Sequence, residues 1–291
     1  MTESPSVRAA TKCIDVGDAH LAWREFGRSD GTPLVMLHRF RATMDHWDPD
    51  LLDALARGRR IVLLDSAGVG FSSGHVPETI AGMADVVARF MRALGIDRAD
   101  MLGWSMGGAV ALSLALNYPA LVRRLILAGT GPGGVPESPR APDKVWHVAG
   151  KPENSDDDFL YLFFTDSTAS RNAGLASLRR LDRRLVNSAA IVSSEGVQRQ
   201  AAAIAAWGQG RDSAFARLGE INVPVFVANG SHDIMVHAYN SYIMSQRLSN
   251  ASLTLYPDSG HGFLFQYPHR FARDVLEFLG THHSDPVGGL S

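Results

Sequence analysis

The run Leu102-Gly103-Trp104-Ser105-Met106-Gly107-Gly108 constrains this chain more than any other stretch, because it sets one serine between glycines directly after an apolar segment. A serine in that setting sits on a sharp strand-to-helix turn, the nucleophile elbow, with Oγ projecting from the sheet and the next backbone N–H placed to receive an oxyanion. Glycine is required at Gly103 and Gly107, where a side chain would strike the neighbouring strand or the turn itself. The helix that follows opens with Gly107, Gly108, Ala109, Ala111 and Ala115, and so is expected to lie close beneath the central strands with its positive end at the serine.

The rest of the chain supplies the sheet that such an elbow needs. Apolar runs at 12–16, 20–26, 33–37, 60–65, 99–104, 122–128, 224–229 and 252–256 alternate with helical patterns. Eight strands spaced by helices predict a mainly parallel sheet with helices on both faces. Gly17-Asp18 joins the first two strands as an antiparallel hairpin. Pro77-Glu78-Thr79 opens the longest clear helix, whose stripe of Ile80, Met83, Val86, Val87, Phe90, Met91 and Leu94 packs on the sheet before Gly95 ends it.

Between Gly131 and about Leu218 the strand pattern stops. A Gly/Pro-rich linker, Gly131 to Pro136, leads into helical segments carrying Phe159, Leu160, Leu162, Phe163 and Phe164, then Leu175, Leu178, Leu181 and Leu185. These are expected to form the core of an inserted helical cap and, in part, to line a substrate pocket. The domain reading is a core of 1–131 and 219–281, a cap of 132–218 and a flexible tail of 282–291.

A serine hydroxyl needs a base, and the base needs a third group to hold its tautomer and stabilise its cation. With a nucleophile on such an elbow, the acid and then the histidine follow in chain order. Asp233 follows the strand Pro224 to Asn229, and His261 lies between Gly260 and Gly262 on the loop after the strand ending at Tyr256. Other candidates rank lower: His232 points away from its neighbour Asp233, His282 and His283 lie in the tail, and Asp258 is expected to cap its own loop. Thr130 stands where an alternative acid is sometimes placed, and it carries no carboxylate. The oxyanion donors are expected to be the N–H groups of Met106 and of Phe40, on the loop after the third strand.

These motifs resemble those of the α/β-hydrolase fold, in the broad group with a helical cap inserted after the sixth strand. The resemblance runs from about Ile14 to Leu279 and includes Asp65-Ser66-Ala67-Gly68-Val69-Gly70-Phe71-Ser72, similar to the family's D-x-R-G-x-G-x-S turn. Two positions depart from the pattern: Arg39 replaces the glycine that usually follows His38, and Ala67 replaces a common arginine. At the pocket mouth Arg39 either selects an anionic or carbonyl-rich substrate or turns outward to solvent, and the outward turn is the favoured expectation. The pocket is expected to take in His38, Arg39, Trp104, Trp146, Phe159, Phe163, Met235 and Phe263, with Phe164 in the lid.

Bulk properties narrow the function. A formal charge of −2 with no clustered cationic excess argues against nucleic acid and anionic membrane as partners. Cys13 is the sole cysteine, so no intramolecular disulfide forms, and a reducing cytoplasmic setting is expected. No apolar run is long enough to span a bilayer. Gly68 and Gly70 do not begin a dinucleotide-binding helix, no P-loop occurs, and no metal-ligand spacing appears, so no cofactor or metal is expected. The resemblance, with serine as nucleophile, implies acyl transfer, hydrolysis of a carboxylic ester or lactone. The apolar residues flanking the triad, Trp104, Met106, Phe40, Met235 and Phe263, point to a medium-sized apolar substrate, and the protein is expected to act as a monomer or homodimer. Cofactor-free haloperoxidase or perhydrolase chemistry, hydrolysis of a carbon–carbon bond beside a ketone, and non-catalytic ligand reception remain as alternatives.

Overall fold

The computed structural model describes residues 4–280. A short helix α1 (Pro5–Arg8) precedes the hairpin β1 (Lys12–Val16) and β2 (Ala19–Gly27); β3 (Leu34–Leu37), α2 (Pro49–Ala56), β4 (Arg60–Leu64) and the two-residue β5 (Val69–Gly70) follow. Then come α3 (Ile80–Ala93), β6 (Ala99–Trp104), α4 (Met106–Asn117) and β7 (Val122–Ala128). The insertion holds α5 (Asp143–Ala149), α6 (Asp156–Phe163), α7 (Thr168–Leu185), β8 (Ile191–Val192) and α8 (Ser194–Gly208). The chain returns through β9 (Val225–Gly230), α9 (Ala238–Arg247), β10 (Ala251–Tyr256), α10 (Phe263–Gln266) and α11 (Pro268–Gly280).

The eight-stranded sheet runs in the order β1-β2-β4-β3-β6-β7-β9-β10. β2 is antiparallel to both neighbours, and every other pairing is parallel. Central strands β3, β4, β6, β7 and β9 are buried almost throughout, which is why they read as continuous apolar runs rather than alternating ones. Two buried clusters cover the two faces, one built on α3 and α4 and the other on α2, α11 and the first insertion helices.

Helix α3 starts where Thr79 Oγ1 accepts the Gly82 N–H and ends before Gly95, whose φ of +66° only glycine adopts freely. β8 is a departure from expectation: within the insertion it pairs antiparallel with β5. Two residues have no period to read, so tertiary pairing alone defines this strand. The tail expected at 282–291 lies outside the described residues.

The loop between β3 and α2 fastens the insertion to the sheet. Asp48, fully buried at the start of α2, accepts from Arg180 Nε (2.9 Å) and Nη2 (2.7 Å) and from Ser177 Oγ (2.8 Å), all on α7. Asp45 accepts from Ser188 Oγ and from the buried guanidinium of Arg24. Arg41, at φ +56°, donates to the carbonyls of Ala149, Lys151 and Pro152 at the end of α5. A carboxylate with its charge and lone pairs satisfied in this way is costly to strip of its partner, because the remaining ion stays buried.

Candidate active site

Ser105 lies at the end of β6 with φ +56° and ψ −121°, a conformation that side-chain-bearing residues avoid and that fixed surroundings must impose. The surroundings are tight backbone contacts. A Cβ on Gly103 would fall 2.3 Å from Gly107 O, and one on Gly107 would fall 2.2 Å from Leu37 O. The Ser105 N–H is held by Ala128 O on β7 (2.9 Å), and the Ser105 carbonyl accepts from Thr130 Oγ1 (2.7 Å). Thr130, which could not serve as an acid, therefore braces the elbow.

Asp233 and His261 come together as expected. Nδ1–H of His261 donates to Asp233 Oδ2 at 2.7 Å, and both side chains are buried. Asp233 Oδ1 accepts the N–H groups of Met235 (2.8 Å) and Val236 (2.9 Å), which aims the other oxygen at the imidazole. The ring lies against Phe163 and Trp104, with centroids 5.8 Å away in each case, and Trp104 Nε1–H donates to the His261 carbonyl (3.2 Å). Gly262 N–H donates to Phe163 O (2.7 Å), so the end of α6 sits directly on the histidine loop. His261 Nε2 is buried and has no hydrogen-bond partner among the described residues. The N–H groups of Phe40 and Met106 likewise donate to nothing among the described residues.

The competing groups are occupied elsewhere. Asp258 accepts from Thr165 Oγ1 (2.8 Å) and Ser167 Oγ (2.6 Å) ahead of α7, and these bonds hold its carboxyl below the usual range. His232 is exposed and pairs with Ser231 Oγ. Asp65 accepts the N–H groups of Met44 (2.7 Å) and Phe71 (3.0 Å), and a Cβ on Gly70 would lie 2.1 Å from its Oδ2. The glycine-bearing turn after β4 is thus a brace for a buried carboxylate, consistent with its failing to start a nucleotide-binding helix.

Two chambers meet at Ser105. The larger, about 560 Å³, is lined by Trp146 of α5, Trp207 and Ile204 of α8, and the 131–139 loop. The smaller, about 300 Å³, is lined by Arg39, Arg41, His46, Phe159, Phe163, Leu178, Leu181, Leu185 and His261. Ser105, Phe40 and Met235 line both, whereas His261 lines the smaller alone.

Four expectations need correction. Arg39 turns inward: its guanidinium stacks over Phe163 (4.8 Å) and Trp104 (5.5 Å), and Nη1 donates to Phe40 O (2.8 Å). Trp104 lines neither chamber, because successive strand side chains point to opposite faces and it packs behind His261 against Trp47 and Phe265. Phe263 is fully buried, stacked on Tyr256 (5.0 Å) and edge-on to Phe271. His38 lies under the elbow with its Nδ1–H donated to Arg39 O; burial drives its pKa down to about 4.

Sequence reasoning missed Arg41, His46, Ile204 and Trp207, and it took the 131–136 segment for a linker when it is a chamber wall. The available signal was the glycine pair in that segment. Gly133 and Gly134 have positive φ, and a Cβ on Gly133 would fall 2.4 Å from Trp207 O. Trp207 Nε1–H donates to Gly131 O (3.1 Å), which closes the wall.

Comparison with known proteins agrees with this architecture. The family model described as alpha/beta hydrolase fold matches residues 32–268. A protein of Caulobacter sp. (strain K31) named putative carbamate hydrolase RutD is 30% identical over 257 residues, covering 86% of this chain and 91% of its own. The 2-hydroxy-6-oxo-6-phenylhexa-2,4-dienoate hydrolase of Burkholderia cepacia is 29% identical over 267 residues, covering 86% and 88%. Among solved structures, an alpha/beta hydrolase fold protein from Chitinophaga pinensis superposes with a TM-score of 0.87 at 35% identity, over 96% of this chain and all of the other. No described helix is long and apolar enough to cross a membrane. With its elbow, its sheet order and a family match over most of its length, the chain belongs to the alpha/beta hydrolase fold family.

Proposed function

We propose that this protein is a serine hydrolase that cleaves a carboxylic ester or lactone through an acyl-enzyme. The observation that carries the reading is the set of unpaired polar groups around one strained serine. A buried His261 Nε2 without a partner, and two idle N–H groups at Phe40 and Met106, belong to residues that line the chambers meeting at Ser105.

Ser105 Oγ attacks the carbonyl carbon while its proton passes to His261 Nε2. The carbonyl oxygen takes the negative charge and accepts from Phe40 and Met106 N–H. Asp233 stabilises the imidazolium through Nδ1–H and does not itself take the proton. The carbon–oxygen bond to the leaving group then breaks, and His261 returns the proton to the departing oxygen. Water attacks the acyl-serine, giving its proton to His261, and the tetrahedral species collapses to the acid and free Ser105. In a lactone the leaving alcohol stays joined to the acyl group throughout, and the last step releases a single hydroxy acid. The substrate is thus a small molecule, and the exposed, unpaired Cys13 suits a reducing cytoplasm.

Hydrolysis of a carbon–carbon bond beside a ketone is a second reading, favoured by the similarity to the Burkholderia dienoate hydrolase. The test is intact mass after fluorophosphonate treatment of wild type and Ser105→Ala, with turnover of p-nitrophenyl esters from acetate to octanoate, several lactones and the dienoate ketone. One adduct lost in the variant, with ester or lactone turnover, is expected. Turnover of the ketone alone selects the second reading, and an adduct that survives Ser105→Ala overturns both.

A further inference from the structure

Arg39 is the group in this site that the acyl-transfer scheme leaves unused. It directly precedes the Phe40 donor on the loop after β3, and it faces the same chamber as His261. Two aromatic faces and one bond to the Phe40 carbonyl fix its direction. Its Nε is buried and donates to nothing among the described residues. No described carboxylate pairs with it, and the charge acting on it is a like one, Arg41, itself committed to three peptide carbonyls. Burial lowers its pKa only to about 10, so it remains a cation at neutral pH.

The other titratable walls of the smaller chamber do not answer this charge. Burial, together with the charges of Arg39 and His38, pushes His46 down to about 3, so it stands neutral. Asp156, at the start of α6, lines the chamber from its exposed rim and forms no ion pair there. A desolvated guanidinium without an anion is an unfavourable arrangement that a bound carboxylate would relieve, through charge-assisted hydrogen bonds in a setting of low dielectric.

The position of His261 says which part of the substrate carries that anion. The group that protonates the leaving oxygen must reach it, and His261 lines the smaller chamber but not the larger. The leaving group therefore lies on the Arg39 side, and the acyl group lies in the larger chamber between Trp146 and Trp207.

We propose that Arg39 is a specificity-determining residue that binds a carboxylate on the leaving-group side, making the substrate an apolar acyl ester of a small hydroxy acid. The proposal rests on the serine-hydrolase reading above. Cleavage releases the hydroxy acid, its oxygen protonated by His261, and leaves the apolar acyl group on Ser105 for water to remove.

The experiment compares three esters of similar size: O-hexanoyl glycolate, its neutral counterpart O-hexanoyl glycolamide, and monopropyl adipate, in which the carboxylate sits on the acyl side. Wild type is expected to favour the glycolate over the glycolamide ester by about a hundredfold in kcat/KM, the scale set by a buried charge pair. Arg39→Gln is expected to erase that preference, chiefly through KM for the glycolate ester, and Arg39→Lys to restore part of it. Equal use of the two hexanoyl esters by wild type overturns the proposal without any variant. Equal loss on both esters in Arg39→Gln overturns it too, as would preference for monopropyl adipate. A fluorophosphonate adduct on Ser105 in the same samples separates the readings: an adduct without carboxylate preference removes only the Arg39 proposal, and no adduct with no turnover removes both.

Discussion

The two chambers that meet at Ser105 share a reaction centre and differ in everything else. The larger is walled by the glycine-rich 131–139 loop and by indole and aliphatic groups of α5 and α8, with Glu137 and Arg140 confined to its exposed rim. The smaller is closed by α6 and α7, and it has Arg39, Arg41 and His46 in its wall. The difference teaches where each property is stored. On the proposed reading, the position of the chemistry is set around the elbow, by close backbone contacts at Gly103 and Gly107 and by the Thr130 hydroxyl bonded to the Ser105 carbonyl. On that same reading, discrimination between substrates falls to the insertion and to one loop residue, Arg39, which no carboxylate among the described residues pairs with.

The largest effect is expected where the chambers are alike. Asp233→Asn removes the carboxylate that holds His261, so kcat should fall by about 10⁴ for substrates filling either chamber. Steady-state rates on two esters that differ only in which arm is apolar check this. Unequal losses would break the shared-centre picture, and near-normal rates would remove Asp233 from the mechanism.

A second test acts on the smaller chamber through its outer wall. Asp48→Ala leaves Arg180 with only the longer Asp50 contact (3.5 Å) and the Phe265 carbonyl, frees Ser177 and uncaps α2, and α7 carries Leu178, Leu181 and Leu185 of the chamber lining. Urea unfolding should show a loss of about 3 kcal/mol, the lower end of the scale for one partner taken from a buried pair, because Asp50 still contacts Arg180. Glycolate ester turnover is expected to suffer more than turnover of an uncharged ester, since the α7 side loosens while α5 and α8 keep their own contacts. An unchanged unfolding midpoint would mean that α7 is held by its apolar face alone.

The sheet and the elbow were legible because their physics is local. Parallel strands buried on both faces leave unbroken apolar runs, and a Gly-x-Ser-x-Gly turn after such a run has one steric solution. The pairing of Asp233 with His261 was legible for a related reason, as each follows a strand at the end of the sheet where the serine emerges. Proximity in sequence misled for the pocket: Trp104 precedes Ser105 yet points to the opposite face, and Phe263 is two residues from His261 yet opens α10 into the core. Arg39 was misplaced because the surface that draws it inward, Trp104 with Phe163, is assembled only when α6 closes on the histidine loop. Trp207 and Ile204 lie on a helix whose sequence shows no mark of facing the 131–136 segment.

A pH titration probes the burial of the two histidines beside Arg39. His38 and His46 are held neutral by burial, with folded-state values of about 4 and about 3 against an ordinary 6.5. A depressed histidine contributes stability above its unfolded value and loses it as pH falls from 6.5 toward the folded value. Each should therefore remove roughly 1 kcal/mol per pH unit between pH 6.5 and 4. His46→Gln should flatten the slope of unfolding free energy against pH by about one proton's worth. An unaltered slope would show that His46 titrates freely and that the smaller chamber is wetter than its lining suggests.

The smallest effect is expected at the rim of the larger chamber. Trp146 is 49% exposed, so only part of its indole contributes apolar surface to a bound acyl chain. Trp146→Ala should lower kcat/KM for octanoate esters by about fivefold, near 1 kcal/mol, and leave acetate esters almost unchanged, because a short acyl group stops before reaching α5. Chain-length profiles of wild type and variant give the comparison. A uniform fall at every length would mean that Trp146 supports the chamber's shape rather than touching its occupant. A fall confined to the glycolate half of the substrate would reverse the assignment of acyl and leaving groups, since only a leaving group lodged beside α5 would sense the indole from that side.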